Sequence, residues 1–194
     1  MLRDISLHIL DLTQNSVAAG ADRIEITVSA SQSRNLLTVS IRDNGCGMSE
    51  EFLAAAADPF TTSRKTRKVG MGIPFFKLAC EQGGGTLTLT SRRNEGTEIA
   101  GSFEISHIDR LPLGSLGDTM QLLISGAPQI RFLLQLESDR ESFLFDTEEV
   151  QRELEGTPIT EYEILQWIKD YIDENVIIIF GGVLNEIIGG TESN

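Results

Sequence analysis

The chain has 194 residues, 40% of them hydrophobic and 23% charged, with a formal net charge of −13. That length bounds it to one full domain and a smaller second unit, and the composition is that of a folded globular protein. So acidic a chain is a poor nucleic-acid binder, because such affinity rests on Lys and Arg displacing counterions from phosphate, and it is ill suited to an anionic membrane surface.

The first fifteen residues, MLRDISLHILDLTQN, are not those of a signal peptide. The longest apolar stretch, VIIIFGGVL at 176–184, is far short of the roughly 20 residues a membrane span needs. Cys46 and Cys80 stand far apart, with neither metal-ligand spacing nor a disulfide framework. The expectation is a cytoplasmic protein in a reducing compartment.

Taken along the chain, Ile5, Ile9, Leu12 and Ser16 recur at helical spacing, predicting a helix over 3–19 that ends at Gly20. RIEITVSA (23–30) and LLTVSIR (36–42) alternate apolar and polar residues as half-buried strands do, with a hairpin turn between them. Ser49 can cap a short helix, SEEFLAAAA, with two Glu in its first turn. Residues 59–72 read as a long basic loop bounded by glycine, a class of loop that is often functional. A helix over 73–82 follows, then strands over 86–91 and 98–105 joined around Asn94-Glu95-Gly96.

The character changes near residue 106. Leu111-Pro112-Leu113-Gly114 reads as a connector, followed by a helix near 117–125, a strand pair near 130–136 and 142–146, and helices near 147–155 and 160–173. Acidic residues outnumber basic ones thirteen to three over 137–174, which is either a solvated face or a docking surface for a basic partner.

Four segments carry candidate chemistry. In Asp11-Leu-Thr-Gln-Asn15 a spacing of four puts a carboxylate and an amide on one helix face. The amide oxygen suits Mg²⁺, and the carboxylate suits proton acceptance from an attacking water or hydroxyl. Asp43-Asn-Gly45-Cys-Gly47-Met48 follows a strand directly, offering an acceptor for an exocyclic amino group and two glycines that let backbone approach a flat ligand. The segment from Asp58 through Thr61, Thr62 and Lys65 to Gly70-Met71-Gly72 holds Arg64, Lys65, Arg67 and Lys68, a candidate lid over a triphosphate. It leads into a helix whose first amides can face phosphate. Gly96-Thr97 enters a strand with a hydroxyl that can help line a base pocket.

In order and spacing these segments resemble the GHKL superfamily of gyrase, heat-shock chaperones, histidine kinases and MutL-type ATPases. Asp11 to Asn15 resembles its N box, Asp43 to Gly47 its G1 box, Gly70 to Gly72 its G2 box, and Gly96-Thr97 its third glycine motif. The run DLTQNSVAAGADRIEITV with DNGCGM is close to the MutL branch, whereas DPFTTSRKTRKVGMGIPFFKLACEQGGGTLTLTS is closer to histidine kinases. The resemblance implies an α+β, two-layer sandwich, a mixed β-sheet with helices on one face, carrying a smaller α+β C-terminal extension. It implies an ATP-binding unit over 1–105 and an acidic extension over 106–194. It further implies ATP and Mg²⁺ as cofactors, with Asn15 as metal ligand, Asp43 as adenine acceptor and Asp11 as catalytic base. Gly45, Gly47, Met48, Thr61, Thr62, Lys65, Gly70, Met71, Gly72 and Thr97 complete the implied pocket.

Asp11 stands where hydrolytic branches usually carry Glu, so ATP binding follows more directly than turnover. The sequence begins almost at the N box, and His8 and His107 lack a phosphoacceptor context. His8 is read as packed or solvent-facing, and any phosphoryl acceptor is expected on a partner protein. The leading expectation is an ATP-dependent kinase or ATPase. The alternatives are a nucleotide-dependent regulatory module of anti-sigma type and an ATP-gated homodimer, with residues 176–180 as an edge strand seeking a partner.

Overall fold

A computed structural model describes residues 2–56, 71–181 and 184. Strands β1 (Arg23–Ser31) and β2 (Leu36–Asp43) show why one sheet face became the core. Ile24, Ile26, Val28 and Ala30 alternate with Glu25, Thr27 and Ser29, while Leu37, Val39 and Ile41 alternate with Thr38, Ser40 and Arg42. A period of two sends each apolar set to one side, where all its members are buried. The hairpin register sets Ile26 opposite Ile41 and Val28 opposite Val39, and Asn35 takes the left-handed turn position at φ 52°.

Strands β3 (Leu87–Arg92), β4 (Gly96–Glu104), β5 (Arg131–Ser138) and β6 (Ser142–Asp146) complete, among the described residues, a six-stranded sheet of order β3-β4-β2-β1-β5-β6. Only β1 and β5 run parallel, so the sheet is mixed. Helices α1 (Ile5–Ala18), α3 (Gly72–Gln82), α4 (Leu116–Gly126) and α6 (Tyr162–Phe180) bury their apolar stripes on its inner face in one continuous core. The short helices α2 (Glu50–Ala56) and α5 (Thr147–Glu153) lie at its margins. The architecture is the expected α+β two-layer sandwich. The segment after residue 106 adds β5 and β6 to the same sheet, with α4 and α6 in the same helical layer.

The connector does more than link. Pro112 and Leu113 accept backbone hydrogen bonds from Ile5 and Ser6 (2.9 and 2.8 Å), and the Asp4 carboxylate accepts from Leu7 N–H, so three of the orphan amides that open α1 are satisfied. Farther on, Asp173 of α6 accepts from Gly117 N–H at 3.0 Å and from the Ser115 hydroxyl, while Lys169 pairs with Asp118 at 2.7 Å, tying α6 to the start of α4.

One expectation is corrected. Residues 176–180 are not an edge strand but the last turns of α6. Leu165, Ile168, Ile172, Val176, Ile179 and Phe180 continue a single buried helical stripe, and Gly181 caps it at φ 62°. The burial of that stripe overrides the β propensity of Val-Ile-Ile-Ile. Among the described residues no helix is long and apolar enough to cross a membrane.

His8 is fully buried, its ring 5.5 Å from that of Phe76, and neither nitrogen has a hydrogen-bond partner among the described residues. Burial pushes its pKa below the ordinary value, outweighing the raising effects of Asp11 and Asp4. The unfolded chain therefore binds this proton first. The stability is fully present above about pH 6.5 and is lost as pH falls toward the depressed folded value. The urea midpoint is expected to drop between about pH 7 and pH 5, and His8→Leu to flatten that part of the profile. Phe132→Ala, on β5, is expected to cost about 3–5 kcal/mol and to lower one unfolding transition of the whole chain. A separate early transition that leaves the first 105 residues intact would contradict the continuity of the sheet.

Candidate functional site

The site grows from a problem of burial. Asp43 ends β2 on the inner, apolar face and is only 8% exposed. A carboxylate there needs hydrogen-bond donors. The Ser16 hydroxyl of α1 donates to its Oδ2 at 2.6 Å, and the Gly45 N–H donates to its Oδ1 at 2.9 Å. Each oxygen retains a further lone pair for an incoming donor.

The loop after Asp43 is fastened on both sides. Asn44 Oδ1 accepts from Asp22 and Arg23 N–H, its amide donates to Asp22, and Cys46 N–H donates to the carbonyl of Ala19 at the end of α1. On the other side Cys46 accepts from Asn94 N–H at 2.8 Å. Two glycines make that contact possible. At φ 62° Gly47 lies so near Arg92 that a Cβ would overlap its carbonyl oxygen, and at φ 100° Gly96 lies equally near the Asp43 carbonyl. Ser91 joins the two loops: its hydroxyl donates to Gly96 O and accepts from Met48 N–H at 2.8 Å. Its single proton being so used, the 2.9 Å contact with Thr97 has the Thr97 hydroxyl as donor, and among the described residues no donor takes up the lone pairs of that hydroxyl.

These elements enclose a cavity of about 730 Å³. Leu12, Met48, Phe52, Ile73 and Ile99 supply apolar walls, Asp43 and Thr97 polar points, and Asn15 and Arg93 further polar lining. A flat ring bearing an N–H donor fits these features: apolar walls for its faces and a buried, pre-oriented acceptor for its edge. Asp11 and Gly72 meet beside this cavity. A Cβ on Gly72 would strike the Asp11 carboxylate and come within 3.6 Å of Asn15 Nδ2. The start of α3 thus lies against the Asp11–Asn15 face of α1, and its N-cap residue Met71 makes no side-chain capping bond.

Of the sequence-predicted residues, Asn15, Asp43, Gly47, Met48 and Thr97 line the cavity, and Gly45 braces Asp43. Asp11, Met71 and Gly72 gather at the α3 start without lining it. Thr61, Thr62, Lys65 and Gly70 lie outside the described residues. Sequence reasoning missed Ser16, Ser91, Phe52, Ile73, Arg93 and Ile99 as site residues. Ser16 was detectable in principle as the one polar member of the stripe Ile5, Ile9, Leu12, Ser16. His8, read as packed or solvent-facing, is packed.

Comparison with known proteins bears directly on this arrangement. Residues 3–107 match the family described as Histidine kinase-, DNA gyrase B-, and HSP90-like ATPase. The CAI-1 autoinducer sensor kinase/phosphatase CqsS of Vibrio cholerae is 27% identical over 99 residues, which are 51% of this chain and 14% of that protein. The DNA mismatch repair protein MutL of Erwinia tasmaniensis is 34% identical over 96 residues, 46% of this chain and 15% of that one. The similarity thus spans about half of this chain and a small fraction of either relative. Among solved structures, the N-terminal domain of a DNA repair protein aligns with a TM-score of 0.49 at 16% identity, covering 74% of this chain and 52% of that one. With more than half its length matched, and with the matched segment building the cavity around Asp43, the chain belongs to the GHKL, or Histidine kinase-, DNA gyrase B-, and HSP90-like ATPase, family.

Proposed function

We propose that the chain binds Mg-ATP in the cavity around Asp43 and uses it as an ATP-dependent kinase or ATPase, with Asp11 as the base. The observation that carries this reading is the buried Asp43 carboxylate, held by Ser16 and Gly45 with acceptor capacity to spare. Adenine is placed with its amino group on Asp43, its faces between Leu12, Met48, Ile73 and Ile99, and the Thr97 hydroxyl beside it. The phosphates then run toward the uncapped start of α3 at Met71-Gly72, where first-turn amides and the helix dipole favour anions. Thr61, Thr62, Lys65 and Gly70 are assigned to the phosphate end on the family resemblance alone.

Asn15 fits a Mg²⁺ ligand in donor chemistry: an exposed side-chain amide, one helical turn from Asp11, whose oxygen is of the type that suits a hard cation. Among the described residues no cluster of three His, Cys, Asp or Glu could hold a resident ion. That donor set suits an ion arriving on the triphosphate, which keeps waters and phosphate oxygens in its shell and offsets phosphate charge. The Asp11 carboxylate accepts the proton of the attacking water, or of a partner's acceptor group. The new oxygen–phosphorus bond forms at the γ-phosphorus as the bond to the bridging oxygen of ADP breaks. Asp is one methylene shorter than Glu, and the tight approach of Gly72 to Asp11 supports a carboxylate that still reaches this region.

Phosphate release from Mg-ATP is expected to fall by about 100-fold or more in Asp11→Asn, the range for a lost general base, with ATP affinity retained. Release that is unchanged in this variant would remove Asp11 from the chemistry. No release from the wild type, together with no labelled partner in cell extract, would leave a nucleotide-gated regulatory module. Asp43→Asn is expected to weaken ATP binding by about 1–3 kcal/mol, because an amide donor then faces either Gly45 N–H or the adenine amino group. Calorimetric titration giving wild-type affinity would move the base pocket elsewhere.

A further inference from the structure

The acidic segment of the chain converges on a second surface that, among the described residues, shares no lining residue with the cavity around Asp43. Among the described residues β6 is the terminal strand of the sheet, and one edge of its backbone has no described strand beside it. Between that edge, α5 and α6 runs a groove of about 910 Å³. Its apolar side chains are unusually open for their size: Leu144 is 56% exposed, Trp167 53% and Tyr171 39%. The two aromatics sit four residues apart on α6 with their rings stacked at 5.2 Å and 7°, and Phe143 meets Tyr171 edge-on at 5.4 Å. They are held in place within the fold, which lowers the ordering cost of contacting a partner.

The rim carries the charge. Glu149, Glu153 and Glu163 line the groove, and none of them has an ion-pair partner within 4.0 Å among the described residues. Among the described residues the one cation in the lining is Arg152, which is already engaged by Glu148 at 2.6 Å. An anionic occupant, whether nucleic acid or an acidic bilayer, is repelled by such a rim. A wholly polar basic segment would leave the aromatic floor in water. What the groove complements is a chain that is cationic and apolar at once, and the open edge of β6 supplies backbone groups for a strand.

We propose that the β6 edge docks an extended, cationic segment of a partner protein. Apolar residues of that segment seat against Trp167 and Tyr171, and its Lys or Arg residues face Glu149, Glu153 and Glu163. The proposal does not rest on phosphoryl transfer. Docking of this kind is measured without nucleotide, so its failure is separable from failure of the ATP reading.

Trp167 is the only tryptophan of the chain, so intrinsic emission reports on the groove directly. The full chain is titrated with a short synthetic peptide alternating lysine and valine, and separately with its glutamate–valine counterpart. The expected result is a saturable blue shift with the lysine peptide and none with the glutamate one. In the combined variant Glu149→Lys, Glu153→Lys, Glu163→Lys, affinity for the lysine peptide is expected to fall about tenfold or more, since three exposed charge pairs become repulsions. ATP affinity is expected to stay the same, which certifies the fold of the variant. Three results would each overturn the proposal: no saturable shift, equal binding of the two peptides, or an unaffected charge-reversed variant. So would concentration-dependent self-association that Leu144→Asp abolishes, because the groove would then belong to a second copy of this chain.

Discussion

A carboxylate buried at the end of a strand is the constraint from which this site is built. Asp43 continues the inward alternation of Leu37, Val39 and Ile41, so the sheet pleat itself carries it to the apolar side. Left alone it would be costly there. Ser16 and Gly45 remove that cost, and each does a second thing. The Ser16 bond pins α1 to the end of the sheet, which sets where Asn15 and Asp11 stand. The Gly45 bond folds the loop back, which brings Cys46 to Ala19 and Asn94 and thereby joins the loop to both α1 and the β3–β4 turn. The pocket and the packing of α1 thus have a common origin in one acidic group.

Much of this was legible in the sequence because the sheet is one-sided. A face-by-face contrast such as Ile24, Ile26, Val28 against Glu25, Thr27, Ser29 leaves little ambiguity in element type or register. The helical stripe of α1 was equally plain. What escaped was of two kinds. Residues 176–180 look like a strand in isolation and become helix only because Ile168 and Ile172 precede them in phase, a tertiary effect that local propensity does not contain. Ser16 and Ser91 escaped because a serine gains its role from the partner it meets. Ser16 meets Asp43, 27 residues away, and Ser91 meets Met48, 43 residues away.

The least legible feature was the pairing of β5 with β1. The two strands begin more than a hundred residues apart, and a parallel pair leaves no hairpin signature between them. A change in composition near residue 106 suggests a boundary, yet the backbone there caps α1 and the strands beyond it extend the same sheet. Change of surface charge and change of fold are different signals. Here the first belongs to the outer surface of α5 and α6, and the second is set by the core beneath, a single cluster that holds both Ile5 and Phe180.

That continuity has a consequence for how the two surfaces of the chain relate. The cavity around Asp43 lies at the ends of β2 and β4, and the aromatic groove lies along β6, with β1 and β5 between them. A packed sheet of this kind does not deform gradually, so it does not by itself transmit a signal from one to the other. Coupling would need an element with two arrangements that each ligand favours differently. The helical layer is the part of the fold that touches both. α1 carries Asn15 and Ser16 at the cavity and packs on α4, and α4 is tied through Asp118 and Gly117 to Lys169 and Asp173 on α6, the helix that presents Trp167 and Tyr171. Because the Ser16 bond to Asp43 also holds α1 to the sheet, both surfaces stand on one packed frame.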